Sequence, residues 1–184
     1  IIERSDYPIE RCRDILSEEV TAILGYGPQG SGQSLNMRDQ GFNVILGLRK
    51  GSSWKKALSD GWVVGENLFE IEEAVKRGTI IQFLLSDAGQ IHAWQTVKEN
   101  LSPGNALYFS HGFGIVFNEQ TKIEPPKDID VILVAPKGSG LTVRTHFQAG
   151  RGINSSFAVH QDYTGNARDR CIATAFAIGS GHLF

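Results

Sequence analysis

Short, nearly continuous apolar runs alternate along this chain with stretches in which apolar residues recur every three or four positions. Val20-Thr21-Ala22-Ile23-Leu24, Asn43 to Leu48, Thr79 to Leu85, Ala106 to Ser110, Ile129 to Ala135 and Ser156 to His160 are runs of the first kind. Their length and β-branched content predict strands, most of them buried on both faces. Between them, Ser31 to Gln40 carries Leu35 and Met37 among polar residues and is closed by Gly41, as a helix C-cap would close it. Ser53 to Asp60, Leu68 to Arg77, Ala88 to Asn100 and Leu141 to Gln148 also predict helices. Ile71, Ala74 and Val75 give the second of these an apolar face, and Ile91, Trp94, Val97 and Leu101 give one to the third. Strands separated by helices require crossover connections, so the pattern predicts an α/β fold with a mostly parallel, doubly wound sheet and helices on both faces. Asn118 to Asp130, with Pro125-Pro126, is expected to be a loop between strands. No repeat, low-complexity tract or long linker interrupts the order.

The turn after the first of these strands sharpens the picture. Gly25-Tyr26-Gly27-Pro28-Gln29-Gly30 fits G-x-G-x-x-G at the point where a strand gives way to a helix, the context of a Rossmann-like dinucleotide site. Gly25 suits the tight turn, Gly27 lets backbone approach a pyrophosphate, and Gly30 lets helix and strand come close. The free N–H groups of the helix start would face the phosphates. A glycine-rich βα turn without a ligand is the plainer alternative. The next strand ends at Arg49-Lys50-Gly51-Ser52-Ser53, where an NAD site usually places a carboxylate for the ribose hydroxyls. A carboxylate would repel a 2′-phosphate. A guanidinium with two hydroxyls would bind one, so Arg49, Ser52 and Ser53 point to NADP(H) rather than NAD; a solvated basic turn is the alternative.

Composition narrows the class without choosing the function. With 18 Lys+Arg against 20 Asp+Glu the net charge is −2, and neither nucleic acid nor an anionic membrane is implied as a partner. Glycine makes up 21 of 184 residues, an excess over the usual ~7% that fits many βα turns. Cys12 and Cys171 lie far apart in helical patterns and read as packed or surface thiols of a reducing compartment, neither a disulfide framework nor a metal site. No apolar run has the length of a membrane span, and no secretory pattern opens the chain.

Three further strand ends carry groups suited to chemistry: Ser86-Asp87-Ala88-Gly89-Gln90, Ser110-His111-Gly112-Phe113-Gly114 and Ala135-Pro136-Lys137-Gly138-Ser139-Gly140. Ligands in open α/β sheets lie beyond the carboxyl ends of the strands, so these segments should share one rim. Taken singly, Asp87 is as well explained as a helix N-cap, His111 as a core or capping histidine and Lys137 as an exposed lysine. Gathered on one rim, they form a candidate site.

The strings GYGPQG, GFNVILGLRKG, LLSDAGQ, YFSHGFG, VILVAPKGSG and GRGINSSFAVHQD together resemble the N-terminal domain of the ketol-acid reductoisomerases (acetohydroxyacid isomeroreductases) from about Ile23 onward. The resemblance implies reduction and rearrangement of 2-acetolactate or 2-aceto-2-hydroxybutyrate with NADPH and two magnesium ions, in valine and isoleucine synthesis. It implies that Gly25, Tyr26, Gly27, Pro28, Gln29 and Gly30 line the pyrophosphate loop, and that Arg49 with Ser52 or Ser53 holds the 2′-phosphate. Asp87, Ala88, Gly89, Gln90 and Gly140 would complete the cofactor contacts, His111 would be the catalytic histidine, and Lys137 would stand near the substrate. Pro28 stands where the family more often has serine. Residues 1–165 would form the NADP-binding domain and 166–184, with a connecting helix over Asn166 to Ile178, would begin a helical C-terminal domain. That domain is the expected partner and the expected source of the magnesium ligands, so the chain alone should bind cofactor without turnover. The complete protein is expected to be a homo-oligomer, cytoplasmic if bacterial and mitochondrial or plastid if eukaryotic.

Overall fold

The computed structural model describes residues 1–184 as one nine-stranded sheet covered on both faces by helices. In chain order, β1 (Ile2–Glu3) and α1 (Ile9–Ile15) precede the glycine-loop unit of β2 (Thr21–Leu24), α2 (Pro28–Asp39) and β3 (Val44–Gly47). Then come α3 (Ser52–Ser59), β4 (Leu68–Phe69), α4 (Ile71–Arg77), β5 (Ile80–Phe83), α5 (Asp87–Asn100) and β6 (Ala106–Phe109). After α6 (Phe113–Val116) and α7 (Asn118–Thr121), the chain runs through β7 (Asp130–Pro136), α8 (Gly140–Gln148), β8 (Ile153–Gln161), α9 (Ala167–Ala177) and β9 (Ser180–Leu183). The spatial order is β1-β9-β8-β7-β6-β5-β2-β3-β4.

Strands β2 to β7 are mutually parallel; β8 runs antiparallel to β7, and β1 antiparallel to β9. The chain leaves β2 toward β3 and β4 and returns on the other side of β2 as β5. The order therefore reverses between β2 and β5, and adjacent connections diverge above their carboxyl ends to leave a crevice. The central strands are fully buried, as their unbroken apolar runs require. One core lies on the α1, α2 and α9 side, around Ile23, Leu46, Tyr108 and Ile172. The other lies under α4 and α5, around Leu24, Ile81, Phe83 and Trp94.

Several boundaries differ from the pattern-based expectation. The helix expected over Leu68 to Arg77 splits into β4 and α4, because Leu68 and Phe69 pair with Leu46 and Gly47 at the sheet edge. α2 begins at Pro28 rather than Ser31; proline fits the first helical turn, where an N–H has no partner anyway. Ile91 is exposed, so the buried face of α5 runs through Gln90, Trp94 and Val97. Within the expected loop of Asn118 to Asp130, α7 forms a single turn.

Residues 166–184 pack against the same sheet. α9 is buried along nearly its whole length, and β9 pairs with both β8 and β1. The alternating alanines Ala173, Ala175 and Ala177 are fully buried, consistent with close approach to the sheet. Cys12 and Cys171 are buried free thiols that burial pushes up to about 11 and about 12, so both are packing groups. No helix is long and apolar enough to cross a membrane.

Candidate functional site

The crevice between the carboxyl ends of β2 and β5 opens into a cleft of about 780 Å³. Gly25 to Gln29, Leu48 to Ser53, Leu84 to Ser86, and Ser139-Gly140 line it. Gly25 has φ +104°, a conformation that L side chains rarely adopt, and a Cβ there would lie 2.6 Å from the Leu84 carbonyl oxygen. At Gly30 a Cβ would meet the Gly25 oxygen at 2.1 Å, so the loop closes only with glycine at both positions. A Cβ on Gly27, by contrast, would touch nothing within 4 Å: it would point into free space at the mouth of α2. No side chain caps α2, and its first N–H groups lack intrahelical partners. The loop thus has the shape and the donors of an anion cradle.

At the other end of the cleft lie Arg49, Ser52 and Ser53, the last two in the first turn of α3. Arg49 is exposed and makes no ion pair or side-chain hydrogen bond, whereas the neighbouring Lys50 reaches Glu70 at 3.8 Å. The cleft therefore offers an uncommitted guanidinium beside two hydroxyls.

The rim beyond β5, β6 and β7 sorts the remaining candidates. The N-cap of α5 is Ser86, whose Oγ accepts the Gly89 N–H at 3.2 Å, and not Asp87. This frees the Asp87 carboxylate, which sits 3.4 Å from His111 Nε2 with both side chains about half exposed. Lys137 is exposed, just past the end of β7. Ala88 and Gly89 lie in the first turn of α5. Gln90 is not on the rim: it is buried, and its amide donates to the carbonyls of Phe83 and Leu85, fixing the β5–α5 turn from within. Gly140 reaches the cleft, but its sharper constraint is close approach, since a Cβ would fall 1.7 Å from the Pro28 oxygen.

The sequence model of the family described as "Acetohydroxy acid isomeroreductase, NADPH-binding domain" matches residues 15–183. The chain belongs to this family of ketol-acid reductoisomerases. It is 56% identical over 183 residues to "Ketol-acid reductoisomerase, mitochondrial" of Neurospora crassa, covering 99% of this chain and 46% of that one. It is also 56% identical to "Ketol-acid reductoisomerase (NAD(+))" of Desulfosudis oleivorans, covering 100% of this chain and 53% of the relative. The solved "NADH-preferring ketol-acid reductoisomerase from an uncultured archean" superposes with a TM-score of 0.90 at 34% identity, over 100% of this chain and 55% of that one. The chain spans about half the length of the curated relatives it matches.

For a reductoisomerase NADPH-binding domain, the glycine cradle, the uncapped helix and the free Arg49 fit a phosphorylated dinucleotide. Magnesium is another matter. No three His, Cys, Asp or Glu side chains gather in this chain, so its own residues do not compose the oxygen-rich shell that a hard cation takes.

Two groups in this reductoisomerase domain escaped the sequence reading. Gln33, fully buried, donates to Gln29 Oε1 and Ser110 Oγ, each at 2.9 Å, and accepts from the Tyr108 hydroxyl at 2.9 Å; Gln29 in turn donates to the Gly138 carbonyl. The two linked amides thus tie α2 to the strand ends bearing His111 and Lys137. The signal was present as two glutamines four apart on one helix face. The second is a cluster of Tyr26, Asp60 and Trp62, three residues whose separation in sequence hides their contact. Burial and the bond to Asp60 raise the Tyr26 pKa, and burial raises that of Tyr108, so both hydroxyls stay protonated donors.

Proposed function

We propose that this chain is the cofactor half of a reductoisomerase that takes NADPH in preference to NADH and acts on a small acetohydroxy acid such as 2-acetolactate or 2-aceto-2-hydroxybutyrate. The observation that supports the reading is a cleft holding both the glycine cradle and the free Arg49, with the His111–Asp87 pair following the carboxyl ends of the neighbouring strands β5 and β6. The N–H groups at the start of α2 hold the pyrophosphate, and Arg49 with Ser52 and Ser53 holds the 2′-phosphate. NADPH, when bound, supplies the hydride. Asp87 orients the His111 imidazole, which accepts a proton from the substrate hydroxyl as the alkyl group migrates. The Lys137 ammonium offsets negative charge that develops on substrate oxygens. Magnesium ligands and the rest of the substrate pocket belong, in this reading, to a helical partner domain, and no step above is routed through the metal.

Relatives named for opposite cofactors occur in this family, so the choice must be read from residues. Fluorescence titration should give NADPH binding at least about tenfold tighter than NADH, equivalent to ~1.4 kcal/mol. Arg49→Asp should abolish that preference, since it places a carboxylate against the 2′-phosphate. Equal affinities in the parent protein, or a preference that survives Arg49→Asp, would overturn the assignment.

A further inference from the structure

The helix that presents Ser52 and Ser53 is loosely seated along its length. α3 fully buries one residue, Ala57, and only Trp54 adds a partly buried contact with the core. Its carboxyl end, in contrast, is fastened. The Trp62 N–H donates to the Ala57 carbonyl and the Gly61 N–H to that of Leu58, with Gly61 at φ +87°, a Schellman closure that folds Trp62 back beneath the helix. There the indole Nε1 donates to the Tyr26 hydroxyl at 3.0 Å, and that hydroxyl donates to Asp60 Oδ2 at 2.8 Å. Arg38 of α2 lies 4.7 Å from the Trp62 ring centroid and donates to the Asp60 carbonyl at 2.9 Å. Tyr26 and Trp62 are both almost wholly buried and meet edge to face. Tyr26 is also the second residue of the glycine loop, so the pyrophosphate cradle and the 2′-phosphate corner are joined through this cluster.

The geometry points to Asp60 and Trp62, clasped on Tyr26, as positioning residues for cofactor choice: they set the tilt of α3 and hence the place of Arg49, Ser52 and Ser53. The inference rests on the reading that this corner receives the 2′-phosphate. An eight-residue helix is about 12 Å long, so a tilt of about 10° at the clasp moves the far end by about 2 Å, enough to break hydrogen bonds to a phosphate. The cradle would not follow. It is held independently by the Gln29 bond to Gly138, by the Gln33 amide and by the close approach of Gly140 to Pro28. Loss of the clasp therefore weakens a ligand with a 2′-phosphate and spares one without it.

The test uses the full-length protein carrying this domain, with Trp62→Phe, which keeps a buried ring, and Asp60→Ala, which removes the acceptor from a half-buried turn. Calorimetry measures NADPH against NADH, and 2′,5′-ADP against 5′-AMP, pairs that differ in the 2′-phosphate alone. Both variants should lose about tenfold for the phosphorylated member of each pair and less than about twofold for the other. Asp60→Asn, which restores an oxygen acceptor, should recover most of the loss. Equal loss for both members would mean a general structural support and would overturn the inference, as would no loss at all. Arg49→Ala, run alongside, separates the two levels. If it collapses the preference while the clasp variants keep it, the clasp alone is wrong. If Arg49→Ala also leaves the preference intact, the 2′-phosphate reading fails and the clasp proposal falls with it.

Discussion

At the scale of single residues, the cleft assigns different tasks to side chains that look alike in sequence. Asp87 was as well explained as an N-cap as it was as a cofactor contact, and the Ser86 Oγ bond to the Gly89 N–H shows that Ser86 is the residue that caps. The freed carboxylate then stands beside His111 at 3.4 Å, and that pair is the candidate acid–base unit. In the full-length protein, His111→Gln should lower turnover by at least about a hundredfold, the low end of what loss of a positioned proton carrier costs, while NADPH affinity stays within a few-fold. Turnover, cofactor affinity and melting temperature measured on that variant decide the matter. A lower melting temperature with nearly full activity in the folded fraction would make His111 a structural residue. Gln90 shows what residue type alone leaves out: its motif position suggested a cofactor contact, yet its amide bonds backbone carbonyls inside the fold. Whether a polar side chain faces ligand or core depends on a turn's conformation, which one-dimensional spacing does not contain.

At the scale of elements, the seam between α2 and α8 decides how rigid the cradle is. The helices touch backbone to backbone: a Cβ at Gly32 would lie 2.4 Å from the Gly140 oxygen, and one at Gly140 only 1.7 Å from that of Pro28. α2 has little apolar surface for this contact. It buries Gln33, Ser34 and Asn36, and Asn36 is satisfied by the carbonyls of Val143 and Ile178 and by Arg144. Gly140→Ala must push α8 and the loop apart. It should destabilise the fold by about 1–3 kcal/mol, as overpacking does, and weaken NADPH and NADH by the same factor. Thermal melting and paired titrations check this; an unchanged melting temperature, or a loss confined to NADPH, would contradict it. The central strands and most helices were legible because parallel strands buried on both faces must be continuous apolar runs. The edge elements were not. β4 has two residues, and β9 contains Ser180, Gly181 and His182, so their strand character comes from pairing rather than composition. α9 was found as a helix, but its place against the main sheet follows from contacts with α1 and β8 that no local pattern announces.

At the scale of the whole molecule, one side chain binds the end of the sheet opposite the cleft. Arg170 of α9 donates to Asp130 Oδ2 at 2.8 Å, to Glu19 Oε2 at 3.2 Å and to the carbonyls of Thr79 and Gly104. Those partners stand at or just before the starts of β7, β2, β5 and β6. A guanidinium, with five donors in a fixed fork, suits such a junction. Its Nε lies 2.8 Å from Glu19 Oε1 as an ion pair, although the angle there is not that of a hydrogen bond. Burial alone would raise the Asp130 pKa, but bonds from Thr164 and from Arg170 together outweigh it and hold the carboxyl below its ordinary value of 3.8. A carboxyl held low in the folded state contributes stability that is complete above its unfolded value and disappears as pH falls through its folded value. Arg170→Met should therefore cost about 3–5 kcal/mol at neutral pH, where it strands buried carboxylates without their cation. The difference between parent and variant should narrow as pH drops below about 4, because protonating Asp130 removes the charge that Arg170 neutralises. Urea unfolding of both proteins across that range provides the measurement. A gap that stays constant with pH would assign the loss at Arg170 to packing of its alkyl stem rather than to the ion pair, and the sheet would then be held at this end by shape alone.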